Sequence, residues 1–234
     1  MRISHKYKFI FFSNPKTGSE TVREILKPYS DISSVHYKER TEQNPFYSHI
    51  TPKEVKQIFQ ERNLNYDEYY KFVFVRNPWA RLVSLYEMIY SNKSGKNVKN
   101  IFKFKIKSIY KENFVETPDF KTWLKTVKNN ENGAGGKDWE RWRRYGSYSL
   151  DNYIMDDQKN ILVDKIIRLE DIDKELISTL VNIGLPISET DIKIKKINQG
   201  KYTKYTEYYD NDLIAYVKNL YKYDIDNFNY QFDD

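Results

Sequence analysis

Phe72-Val73-Phe74-Val75-Arg76-Asn77-Pro78-Trp79-Ala80-Arg81-Leu82-Val83-Ser84-Leu85-Tyr86 sets the fold class. From Lys71 to Val75 the chain is a short apolar run of aromatic and β-branched residues, the pattern of a strand buried on both faces. Arg76-Asn77-Pro78 breaks it, because proline has no N–H to give a strand ladder. Leu82, Leu85, Tyr86 and Ile89 then recur at helical spacing. The stretch therefore reads strand, turn, helix, with Arg76 at the carboxyl end of the strand and Ser84 on the helix. A guanidinium fork and a hydroxyl so placed can share one phosphate.

The same unit stands earlier in the chain. Lys8-Phe9-Ile10-Phe11-Phe12 reads as the first strand of a parallel sheet and ends at Ser13-Asn14-Pro15. Val22, Ile25 and Leu26 predict a short helix over Ser19 to Lys27, stopped by Pro28. Between them, Pro15-Lys16-Thr17-Gly18-Ser19-Glu20-Thr21 forms a strand-to-helix turn whose amides and hydroxyls can surround a phosphate at the positive end of the helix. It is not a Walker A loop: Lys16 precedes Gly18 instead of following a second glycine, which disfavours a common nucleotide triphosphatase. Taken alone, the turn is also compatible with an ordinary βα connection.

Further along, Thr51-Pro52-Lys53-Glu54 carries a capping box and opens a helix beside His49. Thr117-Pro118 predicts the cap of a helix with Phe120, Trp123, Leu124 and Val127 on one face. Gly133 to Gly136 supplies a loop, as a mobile lid or a mere connection. Ile161-Leu162-Val163 and Ile166 to Leu169 read as strand, and Leu176, Leu180 and Ile183 as a helix closed by Gly184 and Pro186. A last helix holds Leu213, Val217 and Leu220, ahead of an aromatic tail. Strands alternating with helices predict an α/β fold with a mainly parallel sheet, whose ligands bind beyond the carboxyl ends of the strands.

Composition narrows the chemistry. At 234 residues, 39% hydrophobic and 31% charged, the chain fits one sizeable domain over its whole length, 1–234. It has no cysteine, which excludes disulfides, thiolate nucleophiles and cysteine-ligated metals. His5, His36 and His49 are its three histidines, and none pairs at i, i+4, so a metal site is not expected. The apolar run after the charged residues 1–8 is too brief for a signal sequence or a membrane span, and the expectation is a soluble, cytoplasmic protein. A net charge of +6 favours an anionic partner without saying which.

The two turns, in this order and context, resemble those of the sulfotransferases that use 3'-phosphoadenosine 5'-phosphosulfate (PAPS), particularly the carbohydrate branch. Members carry an early Pro-Lys-Thr-Gly-type loop for the 5'-phosphosulfate and a later Arg-Asn-Pro, Arg-Leu-Val-Ser-x-Tyr stretch for the 3'-phosphate. The likeness extends through Asp164 to Ile172, as Asp-x-Ile-x-Arg-x-Glu-Asp-Ile, to the Tyr208-Tyr209 region. It leaves the segment from about Asn92 to Asn160 unplaced.

That resemblance implies a P-loop-like three-layer fold and a sulfuryl transfer from PAPS to an acceptor hydroxyl, with a glycan as first candidate. It places Lys16 on the bridging or leaving oxygen, with Thr17, Gly18, Ser19, Glu20 and Thr21 around the 5'-phosphate and Arg76 and Ser84 on the 3'-phosphate. Asn198, Gly200 and Lys201 resemble a late loop that closes over the nucleotide in relatives, and the same basic stretch also reads as an ordinary solvated loop. Glu20 stands where relatives often have small or hydroxylated residues, so its backbone N–H, with the carboxylate turned outward, is expected to matter. His49 corresponds to a histidine that serves many relatives as general base, and its usual pKa of about 6.5 suits that task. PAPS carries about four negative charges near neutral pH, so cationic and amide donors must converge on it.

Two other readings compete. A nucleotide kinase with an unusual phosphate loop lacks a Walker A pattern and an evident magnesium partner. A polyanion or nucleic-acid binding module is suggested by the +6 charge and the interleaved lysines and aromatics, with no specific nucleic acid indicated, while Lys93 to Lys111 and Trp139 to Arg144 read first as solvated or packing segments and second as receivers of an acidic glycan. Neither accounts for both phosphate turns.

Overall fold

The computed structural model describes residues 1–90, 118–125, 146–188 and 204–234. Among them lie five strands, β1 (Arg2–Ser4), β2 (Phe9–Phe12), β3 (Ile32–Ser33), β4 (Tyr70–Val75) and β5 (Lys165–Arg168). The helices are α1 (Ser19–Leu26), α2 (Pro52–Glu61), α3 (Pro78–Tyr90), α4 (Phe120–Leu124), α5 (Leu150–Ile154), α6 (Ile172–Asn182), α7 (Asn211–Leu220) and α8 (Lys222–Phe228). The strands form one sheet in the order β3-β1-β2-β4-β5.

The centre of that sheet is parallel. Phe9 faces Tyr70 and Phe12 faces Val73 across β2 and β4, while Phe72 faces Lys165 and Val75 faces Arg168 across β4 and β5. β1 pairs antiparallel with both β2 and β3, giving the sheet an antiparallel edge. Side chains alternate faces along a strand, so Phe9, Phe11, Phe72, Phe74 and Ile167 pack on one side with Val22 and Leu26 of α1 and Leu176 and Leu180 of α6. Ile10, Phe12, Val73 and Val75 point to the other side, against Val55 and Phe59 of α2, Leu82 and Leu85 of α3, and Val217 of α7. Helices thus cover both faces. Each fully buried ring or branched chain contributes about 1.5–3 kcal/mol relative to exposure, which is why β2 and β4 read so clearly as two-faced strands.

Four sequence expectations need correction. The sheet has a strand ahead of Lys8–Phe12: Arg2–Ser4, whose flanking charges masked the buried Ile3. Ile161 to Val163 is not strand; Ile161 makes only an isolated bridge to Met155, and half its surface is exposed. The Leu162 carbonyl there accepts the Tyr66 hydroxyl, and the chain joins β4 only where Asp164 N–H donates to the Lys71 carbonyl. The helix at Phe120 is capped by Asp119, whose carboxylate accepts the Thr122 N–H at 2.7 Å, and not by Thr117-Pro118. The aromatic tail holds a further helix, α8.

Other local signals hold. Thr51 caps α2 with the expected box, Glu54 returning a bond from the Thr51 N–H at 2.9 Å. α6 ends at Gly184, whose φ of +83° lets its N–H and that of Leu185 reach back to the carbonyls of Val181 and Leu180. No described helix is long and apolar enough to cross a membrane.

One charged pair is sealed inside. Arg81 of α3 and Asp224 of α8 are 1% and 0% exposed and approach to 4.0 Å. Asp224 also accepts the Leu150 N–H at 2.7 Å, and Arg81 donates to the Tyr148 carbonyl. Burial pushes the Asp224 carboxyl up to about 6, against the pull of Arg81. Asp224→Ala leaves the Arg81 cation buried without its counter-charge, and removing one partner of such a pair costs about 3–5 kcal/mol. Urea unfolding is expected to show a lower midpoint with an unchanged slope.

Candidate active site

The carboxyl ends of the adjacent strands β2 and β4 carry the Lys16 turn and the Arg76 corner. After β2 the backbone turns sharply: Lys16 sits at φ +64° and Gly18 at φ +74°, flanking Thr17, and Gly18 is the N-cap of α1. Left-handed residues in alternation curl successive N–H groups toward one point, the geometry of an anion nest. The amides of Ser19 and Glu20, at the start of α1, extend it. The curl is locked from inside. Thr17 and Ser19 hydroxyls each donate to the Asn14 carbonyl at 2.8 Å, and the Asn14 amide donates to the Phe74 carbonyl at 3.2 Å, tying the turn to β4.

Those two hydroxyl protons therefore brace the loop, and the loop offers a ligand its backbone N–H groups and the Lys16 ammonium. The Glu20 carboxylate is exposed and pairs with Arg23 one turn on. Thr21 is buried, its N–H on the Gly18 carbonyl.

Gly18 is required twice over. A Cβ there would stand 2.6 Å from the Leu169 Cδ1, and its φ is in the left-handed region. That conformation costs a side-chain-bearing residue about 1–2 kcal/mol, so Gly18→Ala is expected to lower the thermal midpoint and weaken anion binding together, read by calorimetry and by nucleotide titration.

Arg76 follows β4 and reaches across the strand ends. Its Nη1 donates to the Lys16 carbonyl at 3.3 Å. The two turns, 60 residues apart in sequence, thus meet. Burial and the neighbouring Arg76 cation pull the Lys16 ammonium down to about 8. Two cations held side by side are the electrostatic complement of a polyanion. Ser84 lies two turns into α3 and is half-buried.

His49 completes the cluster from the other side. The α2 capping box fixes the backbone just after it, and its Nδ1 lies 2.7 Å from the Ser13 carbonyl. A carbonyl only accepts, so Nδ1 carries the proton and Nε2 is the ring's acceptor. Burial first, and then positive neighbours that include Arg23 and Lys16, hold its pKa well below the usual histidine value, despite the Ser13 carbonyl. His49 is neutral near pH 7. Lys16, His49 and Arg76 thus all lie by the carboxyl ends of β2 and β4.

His36 instead caps the short turn at Tyr37–Glu39, and His5 bonds the Tyr69 hydroxyl at 2.7 Å. Asn198, Gly200 and Lys201, the segment 93–111, the glycines at 133–136 and the stretch 139–144 lie outside the described residues. Among the described residues, no group of three or more His, Asp or Glu is arranged to hold a metal ion. Sequence reading missed Asn14 and Ser13, ordinary turn residues whose roles are to accept or donate inside the loop. Glu170, inside the Asp164–Ile172 stretch, shows no role by residue type alone. Nothing in the residue type announces these contacts; only the long-range pairing does.

The fold is thus a mixed α/β sheet that carries a curled turn, two cations and a neutral histidine at its carboxyl edge. The chain belongs to the sulfotransferase family, whose family model matches residues 1–231. It is an enzyme that transfers a sulfuryl group. No curated protein and no solved structure gives a significant match.

Proposed function

We propose that this sulfotransferase takes its sulfuryl group from PAPS and passes it to a hydroxyl of a carbohydrate acceptor, working as one domain in the cytoplasm with a P-loop-like cradle. The single observation that carries the reading is the 3.3 Å contact between the Arg76 guanidinium and the Lys16 carbonyl. It joins the Lys16 turn and the Arg76 corner within the span of one nucleotide, which supports reading them as contacts for its 5'-phosphosulfate and its 3'-phosphate. The donor set also fits: an ammonium, a guanidinium and curled backbone amides, all of them donors, suit an acceptor-only anion.

Bound PAPS supplies an activated sulfur, whose bond to the 5'-phosphate oxygen breaks as the acceptor oxygen bonds to it. Lys16 neutralises the charge that gathers on the departing phosphate oxygen. His49 accepts the acceptor's proton at Nε2, the nitrogen that the Ser13 contact leaves as acceptor. Arg76, with Ser84, holds the 3'-phosphate, while the amides of Thr17, Gly18, Ser19 and Glu20 hold the 5'-phosphate, with Thr21 closing the turn behind them through its N–H on the Gly18 carbonyl. Asn198, Gly200 and Lys201 are assigned to the nucleotide on the resemblance alone. The loose, in-line character of the transfer parallels phosphoryl transfer, where positioning and electrostatics do most of the catalysis.

Incubation with sulfur-labelled PAPS and a panel of glycan, tyrosyl and small-molecule hydroxyls, followed by mass analysis, tests donor and acceptor together. Added sulfate on a glycan is the expected result. Phosphate transfer from ATP would favour the kinase, and steeply salt-dependent nucleic-acid binding with indifference to PAPS would favour a polyanion module.

A further inference from the structure

The Arg76-Asn77 corner is held from two distant parts of the chain and by the first turn of α3. The Asn77 N–H donates to Glu170 Oε1 at 2.9 Å, just beyond β5, and its side-chain amide donates to the Gln231 carbonyl at 2.8 Å in the C-terminal segment. The Asn77 side-chain oxygen accepts the Ala80 N–H at 3.2 Å, capping α3. Glu170 is bidentate: its other oxygen accepts the Tyr230 hydroxyl at 3.0 Å. Tyr230 is buried, lies under the Arg168 guanidinium at 4.7 Å, and neighbours Gln231 in the chain. Phe232 follows, its ring edge against Trp79 of α3 at 5.8 Å. One carboxylate therefore links the end of β5, the turn after β4 and residues 230–232.

The link bears on the donor site. Asn77 N–H belongs to the peptide that joins it to Arg76, so fixing that N–H fixes the plane from which the Arg76 side chain departs. A guanidinium that must meet a phosphate in a two-pronged geometry is sensitive to such tilt. A carboxylate near a phosphate site would repel the ligand unless its lone pairs were engaged, and here both oxygens are engaged by donors.

We infer that Glu170, buttressed by Tyr230, is a positioning residue that aims Arg76 at the donor's 3'-phosphate. The inference rests on the reading of Arg76 as the 3'-phosphate ligand. Glu170 touches no reacting atom; it acts through the Arg76-Asn77 peptide.

The test compares binding of 3'-phosphoadenosine 5'-phosphate with that of 5'-AMP, which lacks the 3'-phosphate, by isothermal titration on the full chain. Wild type is expected to prefer the bisphosphate. Glu170→Ala is expected to lose about tenfold of that preference, the worth of one hydrogen bond to a charged group, with 5'-AMP affinity unchanged. Tyr230→Phe, which removes a single hydroxyl from the same network, is expected to lose about two- to threefold; it keeps the test open if Glu170→Ala unfolds. Glu170→Gln, able to accept from Asn77 through its amide oxygen, is expected to recover most of the preference. Equal weakening of both nucleotides would reduce Glu170 to a merely structural role, and unchanged binding of both would also overturn the inference. If wild type itself shows no preference for the bisphosphate, the 3'-phosphate assignment of Arg76 fails first, a result distinct from either.

Discussion

Lys16→Ala is expected to lower kcat by about 10²- to 10³-fold, the usual loss when one preorganised stabiliser of a developing oxyanion is removed. Lys16→Met should do the same, since it keeps the apolar stem and deletes only the charge. Neither variant should unfold the protein. Lys16 contributes its backbone carbonyl to Arg76 and sits at φ +64° whatever its side chain, so circular dichroism and the melting midpoint should stay near wild type. The pH dependence gives a second readout. The side chain is cationic below its pKa, which burial and Arg76 lower from the ordinary lysine range to about 8. kcat/KM for the donor reports the free enzyme, so it should fall as pH rises through about 8, two units earlier than an unperturbed lysine would give. In Lys16→Met that alkaline limb should vanish. A wild-type profile flat to pH 10 would sink the assignment.

The parts of this molecule visible in its sequence are those whose cause is local. Phe9 to Phe12 and Phe72 to Val75 alternate sides of a sheet buried twice, and their apolar runs say so directly. Thr51, Pro52 and Glu54 begin a helix for reasons contained in four residues. Gly18 marks its own left-handed turn. What stayed hidden depends on partners far along the chain. Arg2 to Ser4 holds only one aliphatic residue, Ile3, and becomes a strand because β2 and β3 flank it. Ile161 to Val163 has strand composition, yet the Tyr66 hydroxyl claims the Leu162 carbonyl, 96 residues away in sequence. The site divides the same way. Lys16 and Arg76 announce themselves as cations at strand ends, but their meeting is a property of adjacent strands. The hydroxyls of Thr17 and Ser19 read from sequence as ligands for phosphate, and the structure turns their protons to Asn14. Glu170 lies 93 residues from the amide it holds, and no short motif encodes that distance.

His49→Ala should separate chemistry from binding. Removing a general base costs about 10²- to 10⁴-fold in rate, while affinity for 3'-phosphoadenosine 5'-phosphate should stay within about twofold, because the proposed nucleotide contacts come from the Lys16 turn and the Arg76 corner. The conservative His49→Gln can still bond the Ser13 carbonyl through its amide and so keep the local backbone in place, yet it offers no basic nitrogen; it should be as slow as the alanine variant. That comparison divides a catalytic from a structural role. The acid side of the profile follows from the same environment. Burial and the neighbouring positive charges depress the His49 pKa, so the base form persists as pH falls through 6.5, and kcat/KM for the donor should show no acid limb at the ordinary histidine value. Such a base exchanges intrinsic strength for being unprotonated beside two cations, and a bound polyanion offsets this by raising the pKa within the complex. The acid limb of kcat, which reports that complex, should therefore lie at higher pH than any in kcat/KM. Wild-type turnover by His49→Ala would remove His49 from the reaction, and coincident acid limbs in the two profiles would show that no charge coupling joins the ring to the nucleotide.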